Sequence, residues 1–115
     1  MSRHCLVVFS NPVEGREDEY NDWYTNTHLR DVLKIPGFIG AQRFARSKEQ
    51  LGSEPLPYRY MAIYDIETDD IKATMEALGK AAAAGEMMIS RAMDMEHIAN
   101  WIFTPMSKKM VSGAS

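Results

Sequence analysis

Read for the alternation of apolar and polar positions, the chain divides into four extended runs and two helical ones. In "HCLVVFSNP", Leu6, Val7, Val8 and Phe9 form a β-prone run that Asn11-Pro12 ends. Because this run is apolar on both faces, it predicts a strand covered on both sides. "EGREDEYNDWYTNTHLRDVLKI" predicts a helix, with Glu17, Asp18 and Glu19 at its start and Pro36-Gly37 as its stop. At 100° per residue, Tyr20, Tyr24, Thr27, Asp31 and Ile35 fall on one stripe, flanked by Trp23 and His28. Leu29 and Leu33 lie roughly opposite, as a second and smaller apolar patch.

"GFIGAQRFARS" predicts a second strand. Strict alternation would put Phe38, Gly40, Gln42, Phe44 and Arg46 on one face and Ile39, Ala41, Arg43 and Ala45 on the other. A Gly/Ser/Pro loop follows. "YRYMAIYDIE" then alternates Tyr58, Tyr60, Ala62, Tyr64 and Ile66 against Arg59, Met61, Ile63 and Asp65, which predicts a third strand. "DDIKATMEALGKAAAAGEMM" predicts a second helix, capped by Asp69 or Asp70, packed through Ile71, Met75, Leu78 and Ala82, and ended by Gly85. "EHIANWIFTP" predicts a fourth strand closed by Pro105.

The order β-α-β-β-α-β is the ferredoxin-like split arrangement: an α+β fold with a four-stranded antiparallel sheet and both helices on one face. Strands apolar on both faces need the second face covered too, and a C2 homodimer pairing two sheets would cover it. At 115 residues the chain is one domain's worth. The expected division is a domain over 1–105 and a flexible tail over 106–115.

The net charge of -3 and the lack of a Lys/Arg stripe argue against nucleic acid as a partner. One cysteine, Cys5, precludes an intrachain disulfide and fits a reducing compartment. The N-terminal apolar run is too short for a signal peptide, and no run approaches the length of a membrane span. The expectation is therefore a cytoplasmic protein without a membrane partner. His4, His28 and His97 lack tight ligand spacing, and neither a phosphate loop nor a GxSxG motif occurs, so no metal and no cofactor are expected.

The candidate chemistry centres on His28 and Asp31, an (i, i+3) pair on the inner stripe of an otherwise apolar helix. A nearby carboxylate raises an imidazole's proton affinity and can fix its tautomer, which would suit a general acid or base. A structural alternative stands beside it: His28 as a bonded helix-edge residue, with Asp31 paired to Arg43 or Arg46. Tyr64 is the candidate to steady a developing enolate oxygen. Tyr24, Phe44, Tyr60, Arg91 and Trp101 are candidate pocket residues for an aromatic substrate, each with core packing as the plainer account. Met87, Met88, Met93 and Met95, just before the fourth strand, are candidates for a pocket mouth or ordinary loop packing.

"DEYNDWYTNTHLRDVLKIPGFIGAQRF" resembles the first helix and second strand of the EthD-like proteins of the dimeric α+β barrel superfamily. The shared pattern maps onto Trp23, Tyr24, His28, Asp31, Pro36, Gly37 and Phe38. The resemblance implies a homodimer with one cleft per subunit, between the sheet and the first helix. Related families include polyketide cyclases, muconolactone isomerase, dehydratases, cofactor-free quinone-forming monooxygenases and haem-degrading enzymes, so the fold leaves the reaction open. The expectation is a small cofactor-independent lyase, isomerase, cyclase or dehydratase. It would act by acid-base chemistry on an aromatic or polyketide-like carbonyl compound in a catabolic or secondary-metabolic pathway. A haem-binding or cofactorless monooxygenase is the alternative, as is a non-catalytic ligand-binding or stress-response protein.

Overall fold

A computed structural model describes residues 1–113. The elements are β1 (Ser2–Ser10), α1 (Glu17–Trp23), a π-helical turn (Tyr24–His28), α2 (Leu29–Leu33), β2 (Phe38–Ala45), β3 (Tyr60–Thr68), α3 (Ile71–Ala83) and β4 (Ala99–Phe103). The strands form one antiparallel sheet in the order β2-β3-β1-β4. This is the ferredoxin-like α+β fold expected from the patterning. The terminal stretch 106–113 is exposed and has neither helix nor strand; the last two residues of the expected tail lie outside the described residues. No helix among the described residues is long and apolar enough to cross a membrane.

Register sets which side chains meet the helices. Leu6, Val8 and Ser10 of β1 stand opposite Tyr64, Ala62 and Tyr60 of β3. Leu6, Ala62, Tyr64 and Ile66 are buried there with Tyr20, Trp23, Tyr24 and Val32 of the first helix and Ile35 just after it. From α3, Ile71, Met75 and Leu78 pack onto the same core. Asp70 caps α3 by accepting a hydrogen bond from the backbone N–H of Ala73 at 3.1 Å.

The stop after the first helix rests on Gly37, whose φ of +99° is a conformation that side chains with a Cβ rarely adopt. A Cβ there would also stand 3.2 Å from Thr74 Cγ2. Gly37→Ala should therefore cost about 1–2 kcal/mol, read as a lowered urea midpoint with an unchanged m-value.

Two local departures change which residues face inward. The π-helical turn adds a residue to one turn of the helix, so the buried stripe slips by one position. Val32, not Asp31, is buried, and Leu29 swings in to pack on the core. The second departure is a register shift in β2 between Phe38 and Gly40. It puts Phe38, Ala41 and Arg43 opposite the inward residues Ile66, Tyr64 and Ala62, and sends Gly40, Gln42 and Phe44 outward. Phe38 and Phe44 thus lie on opposite faces, contrary to strict alternation.

The outer sheet face is apolar and carries no helix. Val7 of β1 is flanked by Ile63 of β3 and Trp101 of β4, and Phe9 by Met61 and Ala99. Trp101 is 62% exposed and Phe44 37%. The segment between α3 and β4 folds back over the start of the first helix. There Trp23 Nε1 donates to the Met88 carbonyl at 2.9 Å and Met87, Ala92 and Met93 are buried.

Candidate functional site

The chemistry-bearing side chains gather under the π-helical turn, where the first helix crosses β2 and β3. His28 lies at the end of that turn. Its ring stacks on Trp23 with centroids 4.7 Å apart and meets the Tyr24 ring edge-on at 5.0 Å. Nδ1 is buried and finds no hydrogen-bond partner among the described residues. Burial pushes the imidazole's pKa from 6.5 down to about 4; the Asp31 charge opposes this shift and the Arg43 charge adds to it. The expected direction is thus reversed, because desolvation outweighs the neighbouring carboxylate. Asp31 itself turns toward Lys34, Oδ1 to Nζ 3.5 Å, rather than to Arg43 or Arg46.

Four tyrosines fill the space between this helix and the sheet. Tyr20 packs against Tyr24 at 5.6 Å and Tyr60 at 5.3 Å. The Tyr64 hydroxyl donates to the Tyr24 hydroxyl at 3.4 Å, and the Tyr20 and Ser10 hydroxyls share a bond of 2.6 Å. Burial raises the pKa of all three core phenols, Tyr24 to about 12, so they remain neutral donors near pH 7.

Arg43 stands over these rings. Its guanidinium carbon lies 4.5 Å from the Tyr24 centroid, 5.2 Å from that of Tyr20 and 5.4 Å from that of Tyr60. Nη1 donates to Thr25 Oγ1 at 2.9 Å and Nη2 to Asn21 Oδ1 at 2.9 Å. The Asn21 amide in turn donates to the Tyr60 hydroxyl at 3.2 Å, and that hydroxyl donates to Glu17 at 2.7 Å. Among the described residues no carboxylate pairs with Arg43, which is half-buried. A cation in this setting has an unfilled demand for an anion.

The structure brings His28, Tyr24, Tyr60 and Tyr64 to this helix-facing side. Phe44 and Trp101 lie on the opposite face of the sheet, and Arg91 is exposed on the segment after α3. Asp31 lines a groove of about 450 Å³ between α2 and α3, together with Lys34, Lys80 and Met87. Among the described residues, His28, Tyr24, Tyr64 and Arg43 line neither this groove nor four further surface hollows. Arg43 was visible in the sequence only as a partner for Asp31. Its central place follows from the β2 register shift, for which Gly40 is the only sequence signal.

No family model matches the chain, and no curated protein matches it. Among solved structures it is similar to the haem-degrader MhuD from Mycobacterium tuberculosis, determined with two haems in its active site (TM-score 0.61, 18% identity, 93% of this chain and 99% of that one). It is also similar to SnoaB, a cofactor-independent oxygenase from Streptomyces nogalater (TM-score 0.55, 13% identity, 94% and 97%). A third is an EthD family protein from Bacillus halodurans (TM-score 0.50, 17% identity, 92% and 100%). At these identities the likeness is one of fold alone, the ferredoxin-like α+β fold.

Proposed function

We propose that this chain is a homodimeric, cofactor-independent oxygenase acting on a small, acidic aromatic carbonyl compound. The observation that carries the reading is Arg43: a half-buried guanidinium, laid over tyrosine rings and fixed by Asn21 and Thr25, with no carboxylate among the described residues to neutralise it. Such a group favours the ionised form of a phenol or enol and orients it in a poorly hydrated aromatic setting. The cofactor-independent oxygenase SnoaB, of the same fold, supports this choice over the lyase and isomerase readings.

The chemistry needs no other electron source. A substrate CH₂ beside a carbonyl loses a proton to water before it binds, and the resulting enolate reduces O₂. A C–O bond forms, the peroxide anion takes a proton back from water, and the hydroperoxide then eliminates water to leave a new carbonyl. One oxygen atom enters the product and the other leaves as water. Arg43 holds the enolate oxygen, and Tyr64 and Tyr24 supply neutral phenolic donors behind it. His28 would receive the proton only weakly, since its imidazole binds protons only near pH 4. The substrate therefore enters largely ionised, and the neutral His28 ring packs behind Tyr24 as a support that does not touch it. Asp31 tempers the field at His28, and the Tyr24 and Tyr60 rings lie beneath Arg43.

Haem supports a second reading, through the haem-bound neighbour MhuD. The residues present fit it less well, because the His28 ring is covered by Trp23 and Tyr24 and its buried Nδ1 faces no hollow. The test is oxygen uptake across polyphenolic ketones and β-diketones, without added cofactor. The expected result is one O₂ consumed per carbonyl formed, with a single ¹⁸O from ¹⁸O₂ in the product. Uptake seen only after haem is added, with a Soret band lost in His28→Ala, would overturn the reading in favour of haem. Saturable binding of the same compounds without any uptake would favour a ligand-holding protein.

The dimer is proposed from the bare outer sheet face, where Val7, Ile63 and Trp101 are the side chains a second sheet would cover. Light scattering should give twice the mass of one chain. Trp101→Glu should shift it toward the single-chain mass without loss of far-UV CD signal.

A further inference from the structure

At the loop end of the β2–β3 hairpin, on the outer face of the sheet and away from Arg43, is a hollow of about 160 Å³. Its walls are the rings of Phe9, Phe44 and Tyr58 with Leu56 and Met61, and the Phe9 and Tyr58 ring centroids lie 5.7 Å apart. Two guanidiniums, Arg46 and Arg59, border it, and no carboxylate does. Arg59 Nη1 is held by Glu17 at 3.0 Å. Arg46 has no acidic partner among the described residues; its Nη1 donates to the Leu56 carbonyl at 2.7 Å and, more weakly, to the Tyr58 carbonyl at 3.4 Å.

Size and charge together select the occupant. An apolar cavity of about 150 Å³ accepts one benzene ring, so this hollow takes a single six-membered aromatic ring and little more. Aromatic walls favour a flat ring, by edge and face contacts. The surplus of positive charge at the border favours an anionic substituent on it, best met by a carboxylate against a planar guanidinium fork. We propose that this hollow is a binding site for a small monocyclic aromatic carboxylate, with Arg46 as the carboxylate contact and Phe9, Phe44 and Tyr58 as the ring clamp. The site does not depend on the oxygenase reading. It lies across the sheet from Arg43 and shares with the anion cradle only Tyr60.

The test uses the full chain as it assembles in solution, carrying ¹³C-methyl methionine, with the Met61 signal assigned through Met61→Leu. Three probes of similar size differ in charge: benzoate, benzyl alcohol and benzylammonium. Benzoate should move the Met61 methyl saturably, with Kd on the order of 1 mM. Benzyl alcohol should bind about tenfold or more weakly, and benzylammonium should leave the signal in place. Arg46→Gln should weaken benzoate about tenfold, whereas Arg43→Gln should leave the Met61 response intact. Equal responses to all three probes, or no Met61 shift at about tenfold the expected Kd, would overturn the proposal. The charge series in the unmodified protein decides this even if Arg46→Gln loosens the hairpin loop. A benzoate response lost in Arg43→Gln but kept in Arg46→Gln would also overturn it, by moving the binding to the other side of the sheet.

Discussion

Arg43→Met should lower turnover of a substrate identified by oxygen uptake by about 10²–10³-fold, the usual cost of removing one preorganised donor from a developing oxyanion. Methionine keeps the length and much of the packing over Tyr24 but removes the charge and the fork held by Asn21 and Thr25. Arg43→Lys is the sharper comparison. It retains a cation but gives up the planar pair of donors, so it should recover only part of the loss. If Arg43 merely packs the tyrosines, both variants should lose stability and neither should change turnover beyond the fraction unfolded. Steady-state oxygen uptake, measured beside a urea titration of each variant, separates the two cases. The oxygenase reading fails if Arg43→Met turns over at the unmodified rate.

Stability should fall by about 3 kcal/mol between pH 7 and pH 4 on account of His28 alone. Burial lowers this imidazole's pKa from 6.5 in the unfolded chain to about 4 in the folded one. Between those values the unfolded chain binds a proton that the folded chain refuses, so acid favours unfolding. The contribution is complete above about pH 6.5, is lost as the pH falls toward 4, and changes no further below that. His28→Leu removes the titrating group together with a buried nitrogen that has no partner among the described residues. It should match the unmodified protein to within about 1 kcal/mol at pH 7 and exceed it clearly at pH 4.5. The check is a pair of urea titrations at each pH. Carboxylates contribute to acid sensitivity in both proteins, so the difference between them isolates His28. Parallel pH dependences would mean that the ring is hydrated.

The fold was legible because it rests on short-range patterns. Period-two alternation in 58–67 and helical spacing from Ile71 to Leu78 describe elements whose apolar faces can be buried in only one way. Asp70 and Gly37 marked helix ends through local hydrogen-bonding and φ preferences, and those ends stand where the sequence put them. The grouping of His28, Tyr24, Tyr60 and Tyr64 on one side was also readable, since each sits on the inward phase of its own element. Phe44 and Trp101 were placed with them on aromatic character alone, and the register puts both on the other face.

What the chain determined by itself is therefore the element order, the helix limits and the excess of apolar surface on both faces of the sheet. These follow from interactions between residues a few positions apart. Tertiary structure decided the rest. Thr25, Asn26 and Thr27 are weak helix formers, but nothing local dictates a π-helical turn there or the one-residue slip that exchanges Asp31 for Val32 in the core. The β2 register shift likewise turns Arg43 inward over three tyrosines drawn from the first helix and β3, 17 to 23 positions away along the chain. The proton affinity of His28 depends on how much water its neighbours exclude, and that is fixed only once the sheet, the helix and the segment after α3 have closed around it.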